Sequence, residues 1–194
     1  MKVRELIEKN RSYRRFRQNE AISEEILLEL VDLARISPNG KNNQVLRFAI
    51  SNGKKNEVIF KALLNWKFRI KEWPGPAEGE KPAAYIVILS DETVGKPHPV
   101  DAGIAAQSIL LGAVEKGYNG CMFGSVAKEK LAEELGLSKN LKIELVVGLG
   151  KAGETVILDE LAPGDDNVAY YLDAEDRHHV PKRNMKDVLI KLSS

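Results

Sequence analysis

The sequence is poor in the residues that mark specialised classes of protein. It has one cysteine and three histidines among 194 residues, so it cannot form an intrachain disulfide, and neither His98 nor the pair His178-His179 has a metal-ligand spacing. Its 29 basic residues barely exceed its 28 acidic ones, whereas general nucleic-acid binders carry a clear basic surplus. We therefore expect no bound metal and no nucleic-acid partner.

Long apolar runs and signature loops are also missing. The longest apolar stretch, around residues 104–114, is too short and too interrupted to span a bilayer, and the N-terminus lacks the apolar core of a signal peptide. We expect no membrane partner and a cytoplasmic location, which also suits a chain with a single cysteine. No Gly-x-Ser-x-Gly, Walker or Gly-x-Gly-x-x-Gly motif is present, so the common signatures of hydrolases and nucleotide-binding folds are absent.

What remains is the composition of an ordinary globular protein, 43% hydrophobic and 29% charged, with enough residues for one sizeable core. The apolar periodicity alternates between helical and extended patterns and contains no repeat or linker. It predicts helices over residues 3–9, 23–37, 54–66, 101–116, 126–135 and 185–192, and strands over residues 45–51, 84–89, 142–149 and 169–172. Ser23 and Asp101 are typical N-caps of two of these helices, and Gly136 is a typical helix stop. This order favours a single α+β domain over residues 1–194, with helices packed on a mixed sheet.

Two basic clusters stand near the ends of the sequence. Guanidinium groups match phosphate oxygens bidentately, and a serine hydroxyl can donate to the same group. Because chain termini often lie close together in a compact domain, the clusters could converge on one dianion. The alternative is two unrelated solvated surfaces, the usual meaning of a charged run. The residues concerned are Arg11, Ser12 and Arg14 in one cluster, and Lys182 and Arg183 in the other.

A loop rich in amides, at residues 38–44, joins a predicted helix to a predicted strand. Amide side chains present both donors and acceptors, which suits the edge of a flavin ring with its alternating C=O and N–H groups. Proline, asparagine and glycine are also the usual residues of a plain polar turn, so the loop has two interpretations. Its candidate ligand-contacting residues are Pro38, Asn39, Gly40, Asn42 and Gln44.

The stretch at residues 117–125 follows the most apolar predicted helix. Its Gly120 and Gly124 permit close approach of the backbone to a flat ligand, although a tight connection around a short buried strand explains them equally well. Cys121 is more typical of core packing than of a reactive thiol, because no histidine lies near it in the sequence.

Three aromatic residues, Trp66, Phe68 and Trp73, precede or begin a loop rich in proline and glycine. They could form a lid over a ring system. They could equally anchor a long loop to the body of the protein.

The order of these pieces resembles the FMN-dependent nitroreductase family over nearly the whole chain. An Arg-Ser-x-Arg run is followed by Ser-Pro-x-Gly-x-Asn-x-Gln at residues 37–44 and by Asp-x-Gly-x-Ala-x-Gln at residues 101–107. A Gly-x-Gly strand end at residues 148–150 and a Lys-Arg pair before the last helix complete the series. The resemblance implies a sandwich with a mixed, mainly antiparallel sheet flanked by helices. It further implies an intertwined homodimer, with two FMN molecules at the subunit interface.

The same resemblance assigns roles to the candidate residues. Arg11, Ser12 and Arg14 would hold the FMN phosphate and ring edge, and Lys182 and Arg183 would complete the phosphate site. The candidate residues of the amide loop would approach the flavin from the partner subunit. Backbone N–H groups near Phe123 and Gly124 would face flavin N5.

The implied activity is an NAD(P)H oxidoreductase that reduces nitroaromatic or quinone-like acceptors in a ping-pong cycle through the flavin. It requires no side-chain acid or base; a cation such as Arg14 near N1 and C2 would stabilise the negative charge of the reduced ring. A flavin-binding protein without turnover and a structural domain without cofactor are the alternatives. The family's Gln-Pro-Trp is Gln44-Val45-Leu46 here, and the chain is short, which bears on the acceptor more than on FMN.

Overall fold

The computed structural model describes residues 1–64, 66 and 73–192. The chain divides into two compact units, Met1–Trp66 with Pro76–Gly153, and Lys67–Gly75 with Glu154–Ser194. We call them unit 1 and unit 2 and treat each by itself. The expectation of one domain over residues 1–194 stays a prediction.

Unit 1 is an α+β layer structure, as the sequence predicts. Its helices are α1 (Val3–Lys9), α2 (Glu24–Ile36), α3 (Asn56–Ala62), α4 (Asp101–Glu115) and α5 (Lys128–Leu135). Its strands are β1 (Leu46–Ser51), β2 (Ala84–Asp91), β3 (Asn119–Phe123) and β4 (Leu141–Gly150). The four strands form one antiparallel sheet in the order β1-β2-β4-β3.

Strand β2 lies inside this sheet and is buried on both faces. Side chains such as Ile86 and Ile88 join α2 and α4 in one hydrophobic cluster, and alternate residues such as Tyr85 and Val87 join α3 and α5 in another. The nearly continuous apolar sequence of β2 follows from this position, since a strand covered on both faces has no polar side. Helix α4 is likewise buried on most sides, as its apolar composition predicts.

The start of α2 follows the local sequence pattern, whereas the end of α3 does not. Ser23 Oγ accepts a hydrogen bond from Ile26 N at 3.4 Å, so α2 begins at its predicted cap. The helix predicted over residues 54–66 is wrong at its C-terminal end, because α3 stops at Ala62. Beyond it, Leu64 N donates to Ser125 O at 2.9 Å, and Ala127 N donates to Ala62 O at 2.9 Å. Tertiary backbone pairing with residues 125–127 therefore replaces the last helical turn.

Unit 2 contains a three-stranded sheet that the sequence predicts only in small part. Strands β5 (Val156–Glu160), β6 (Tyr171–Leu172) and β7 (His178–Lys182) take the order β5-β7-β6. Pro181 tolerates its place in β7 because β6 pairs only with His178 and His179. The last helix, α6 (Met185–Val188), is shorter than the predicted 185–192, since none of its residues is buried and a short helix without packing is marginal.

None of the helices within the described ranges has the length and apolar composition that crossing a bilayer requires.

Candidate functional site

The arginine-rich segment at residues 11–14, here called the arginine arm, lies beside the edge strand β3. Ser12 forms a parallel bridge with Gly120, and Tyr13 N donates to Gly120 O at 3.1 Å. Gly120 has no room for a side chain, because a Cβ there would lie 2.7 Å from Gly148 O and 2.4 Å from Leu110 Cδ2. Of the two interpretations of this stretch, the structure shows the short strand, and its Gly120 is needed for close packing of the sheet on α4.

The arm is also tied to α4 through the residue before it. Asn10 Nδ2 donates to Gln107 Oε1 at 3.2 Å, which gives a role to the last residue of the Asp-x-Gly-x-Ala-x-Gln motif. Backbone contacts to β3 and this amide pair fix where the arginine side chains begin.

Arg11 is the most informative side chain of the arm. Its Nη2 donates to Ile7 O at 2.6 Å, while its Nε is buried and has no hydrogen-bond partner. Burial lowers the pKa of Arg11, an effect that Tyr13 partly opposes. A buried N–H group without an acceptor is costly, and a phosphate would supply an acceptor to Nε with geometry that matches the guanidinium. The residue thus fits the anionic end of FMN.

Arg14 leads from the arm toward the end of β3. Its Nε donates to Trp66 O at 3.2 Å, and its Nη1 donates to Ser12 O at 3.1 Å. The Trp66 ring lies 4.5 Å from the Phe123 ring and 5.4 Å from the Phe60 ring, centroid to centroid. Arg14 and Phe123, two predicted site residues, are therefore joined through Trp66, which the sequence suggested only as a lid or an anchor. Phe68 lies outside the described residues.

The amide loop is fastened to the start of α4. Gly40 N donates to Asp101 Oδ1 at 2.8 Å, and His98 N donates to Asp101 Oδ2 at 2.9 Å. Gly40 itself packs against the ring-bearing carbon of His98, since a Cβ at residue 40 would lie 2.5 Å from His98 Cβ. Only glycine fits at that position of the loop.

The loop also uses much of its own hydrogen-bonding capacity. Asn39 Oδ1 accepts from Gln44 N at 3.0 Å, and Arg47 Nη1 donates to Gln44 O at 3.0 Å. Lys41, Asn42 and Gln44 all have left-handed backbone, with φ of 53°, 54° and 51°. These internal bonds leave the amino group of Asn39 and the exposed amides of Asn42 and Gln44 to meet a ligand.

A surface cavity beside the loop brings several predicted residues together. It is lined on one side by Pro38, Asn39 and Gln44, and on another by Arg47 and Asp101. Asp101, which fastens the loop, and Gln107, which meets the arm, are six residues apart on α4. Their separation along the helix axis is about 9 Å. The amide loop and the residue before the arginine arm are thus both hydrogen-bonded to the first two turns of one helix.

The C-terminal cations lie in unit 2, so their convergence with the arginine arm stays a prediction. Arg183 Nη1 forms a close ion pair with Asp166, and this hydrogen bond, reinforced by the charges of Asp187 and Asp165, raises the pKa of Arg183. Lys182 is exposed at the end of β7. Because Arg183 already has a carboxylate, Lys182 is the better of the two for a phosphate.

Unit 2 also holds a histidine between two carboxylates. His179 Nδ1 lies 2.7 Å from Asp159 Oδ2, and its Nε2 lies 3.0 Å from Asp173 Oδ2. The ring stacks on Tyr171 with 4.7 Å between centroids. Hydrogen bonds to Asp173 and Asp159 raise the pKa of His179, so the imidazolium clasps β5 and the β6–β7 connection together.

This clasp makes the stability of unit 2 depend on pH. A raised pKa in the folded state means that the contribution is complete below about pH 6.5 and is lost as the pH rises through the folded pKa. We expect the melting temperature of wild type to exceed that of His179→Gln at pH 6, and this difference to shrink as the pH rises to 9. A difference that grows with pH would contradict the clasp.

Neither metal binding nor a reactive thiol is supported by the residues that the structure describes. They contain no group of three histidine, cysteine, aspartate or glutamate side chains that could hold a metal ion. Cys121 is buried in β3, which favours the packing interpretation.

The chain is similar to a known protein family and to several solved structures. The nitroreductase family model matches residues 7–151. A nitroreductase family protein from Clostridium novyi NT is 27% identical, with a TM-score of 0.64 over 78% of this chain and 87% of that one. A Desulfovibrio desulfuricans protein described as a nitroreductase in complex with FMN is 21% identical, with a TM-score of 0.64 over 79% and 88%.

A third solved structure, described as an NADH oxidase from Clostridium acetobutylicum, is 24% identical, with a TM-score of 0.59 over 77% of this chain and 89% of that one. No curated protein matches the sequence. The family match covers the arginine arm, the amide loop and all of α4 and β3. The chain therefore belongs to the nitroreductase family.

Proposed function

We propose that the protein is an FMN-dependent NAD(P)H oxidoreductase that reduces nitroaromatic or quinone-like acceptors. The observation that carries the proposal is the half-buried side chain of Arg11, whose buried Nε lacks an acceptor, in a chain of the nitroreductase family. Two solved structures of the same fold, described as an FMN complex and as an NADH oxidase, support the cofactor and the donor.

In this proposal the arginine arm binds the phosphate of FMN. Arg11 contributes its guanidinium, Ser12 contributes an exposed hydroxyl, and Lys182 adds a second positive charge. Arg183 takes part only if the phosphate displaces Asp166, with which it is paired. The arm is held by backbone bonds to β3, so its side chains need little reorganisation to meet the anion.

Arg14 and the end of β3 would serve the ring. When bound, FMN would accept hydride from NAD(P)H and pass it to the acceptor, which is the chemistry that the cofactor supplies. Arg14, held by Trp66 O and Ser12 O, would stabilise negative charge at the N1 and C2 edge. Phe123 and Gly124 would bring backbone N–H groups near N5. The packed Trp66 ring would limit access of water to that side.

The amide loop would serve a flavin held by the other subunit of a homodimer. One feature of α4 favours close contact with a second copy: Gly103 lies exposed in the first turn of the helix, and apart from its chain neighbours and the helix's own backbone no described atom lies within 4 Å of the place of its Cβ. Glycine is a weaker helix former than alanine. An approaching α4 of a second copy would explain why the side chain is absent.

The test is an anaerobic visible spectrum of the purified protein supplied with FMN, taken before and after NADH or NADPH. We expect flavin bands that remain with the protein on gel filtration and bleach with one of the two donors. Reoxidation by a nitroaromatic or a quinone would then define the acceptor class. Bands that persist with both donors would contradict the reductase and favour a flavin-binding protein without turnover. Failure to retain FMN would contradict both proposals.

A further inference from the structure

The first residue of α4 is a buried carboxylate whose partners are unusual. Asp101 is 2% exposed, and its two oxygens accept from two different backbone N–H groups, Gly40 N and His98 N. Among the described residues, no lysine, arginine or histidine side chain forms an ion pair with it. Burying a carboxylate without a cation costs several kcal/mol unless hydrogen bonds offset the lost hydration.

Aspartate is suited to this place for a specific reason. A carboxylate accepts on both oxygens, whereas an amide of the same shape would turn its NH₂ group toward one of the two N–H donors. An apolar residue would remove the acceptor of both N–H groups, whose hydrogen bonds to Asp101 are part-buried. The N-terminus of the 15-residue α4 also favours a negative charge here. The carboxylate therefore fixes two chain segments at once.

The segment that it fixes is under backbone strain. Lys41, Asn42 and Gln44 have left-handed backbone, which is unfavourable for most residues other than glycine. Asp101 grips the loop at Gly40, immediately before the first of them, and Arg47 holds it at Gln44, the last. Without the hydrogen bond at Gly40, the loop would be free to leave this left-handed conformation.

We propose that Asp101 is a positioning residue for the cofactor. It holds the amide loop of one subunit in the conformation that the flavin of the other subunit requires, without touching the flavin itself. The inference rests on the proposed function. Since binding then selects a loop conformation, the apparent dissociation constant of FMN rises as the competent fraction falls.

The direct test compares Asp101→Asn and Asp101→Ala with Ser108→Ala. Ser108 Oγ lies 2.7 Å from Ser37 Oγ, so the control removes a hydrogen bond between α4 and the end of α2 without touching residues 38–44. We expect Asp101→Asn to raise the FMN dissociation constant about tenfold or more, the loss typical of a hydrogen bond to a charged group. Ser108→Ala should leave it unchanged.

The second readout separates positioning from mere support of the fold. For Asp101→Asn we expect kcat at saturating FMN to stay within about twofold of wild type, because the bound state is unaltered. A melting temperature that falls while the FMN dissociation constant stays at the wild-type value would overturn the inference. Wild-type protein that does not bind FMN at all would instead overturn the proposed function, and the inference with it.

A mixed dimer tests whether the loop acts across the interface. Differently tagged Arg11→Gln and Asp101→Asn subunits are co-expressed, and the heterodimer is purified by both tags. If the loop serves the partner's flavin, one site carries both defects and the other carries none, so half of the FMN binds with wild-type affinity. If every site of the heterodimer is weakened, the loop acts within its own subunit and the proposal across the interface is wrong.

Discussion

Replacing Arg11 with glutamine should raise the dissociation constant of FMN about a hundredfold while leaving the apoprotein as stable as wild type or more stable. The two halves of this result come from one cause. Burial lowers the pKa of Arg11, so the charged guanidinium costs folding free energy in the empty site. A phosphate removes that cost and gains charge-assisted hydrogen bonds worth about 1.5–3 kcal/mol each.

The measurement is FMN titration by fluorescence quenching together with thermal unfolding of the apoprotein. Arg17→Gln is a suitable control, because Arg17 follows the arm, is 65% exposed and pairs with Glu20 at 3.2 Å. Its removal should change neither quantity appreciably, since exposed ion pairs contribute little. A destabilised Arg11→Gln apoprotein with unchanged FMN affinity would show that the guanidinium supports the fold and not a phosphate.

If the protein forms the proposed homodimer through α4, replacing Gly103 with arginine should convert that dimer to monomers and abolish FMN binding at micromolar concentrations. Within unit 1 the new side chain meets no described atom within 4 Å of its Cβ, so the subunit itself can accommodate it. A second α4 packed at helix–helix distance, about 8–10 Å between axes, could not. Loss of the partner removes the amide loop from each flavin, so both cofactor sites fail together.

Light scattering coupled to gel filtration gives the mass, and the visible spectrum gives the flavin content. Gly53→Arg is the matched control, because that glycine also has open space around it but lies outside α4. We expect Gly53→Arg to remain a yellow dimer. A Gly103→Arg protein that stays dimeric would place the interface on another surface, and a yellow monomer would refute a site shared between subunits.

Local signals predict the scaffold well where they act over a few residues. The Ser23 cap, the stop at Gly136 with its φ of 70°, and the apolar run of β2 each predict an element that is confirmed. The cap, the stop and the strand depend on backbone sterics and side-chain periodicity, which the neighbouring sequence fixes. The mainly antiparallel sheet flanked by helices, which the family resemblance implies, is confirmed as well.

Long-range pairing explains what the sequence could not predict. The end of α3 at Ala62 is set by hydrogen bonds to residues 125–127, and β7 is a strand because β5, some twenty residues earlier, lies beside it. Neither arrangement leaves a periodic pattern in the sequence around it.

The same distinction holds in the candidate site. The arginine arm and the amide loop could be recognised from residue types, and their contacts with FMN stay predictions. The sequence indicated only that Asp101 is a helix cap. Its hydrogen bond to Gly40 joins residues that are 61 positions apart, so no local pattern could predict it. The pairing of Arg183 with Asp166 left no signal either, since charged residues are plentiful in that part of the chain.

The position of the single cysteine provides an independent measure of how often β3 opens, namely the rate at which its thiol is labelled. Cys121 is 5% exposed and adjoins Gly120, to which the arginine arm is bonded, so a thiol reagent can reach it only after the edge strand separates. The rate of labelling thus reports how often β3 separates transiently beside the arginine arm. A ligand that bridges the arm and the strand would slow this rate in proportion to its occupancy, and would report binding even when it has no colour.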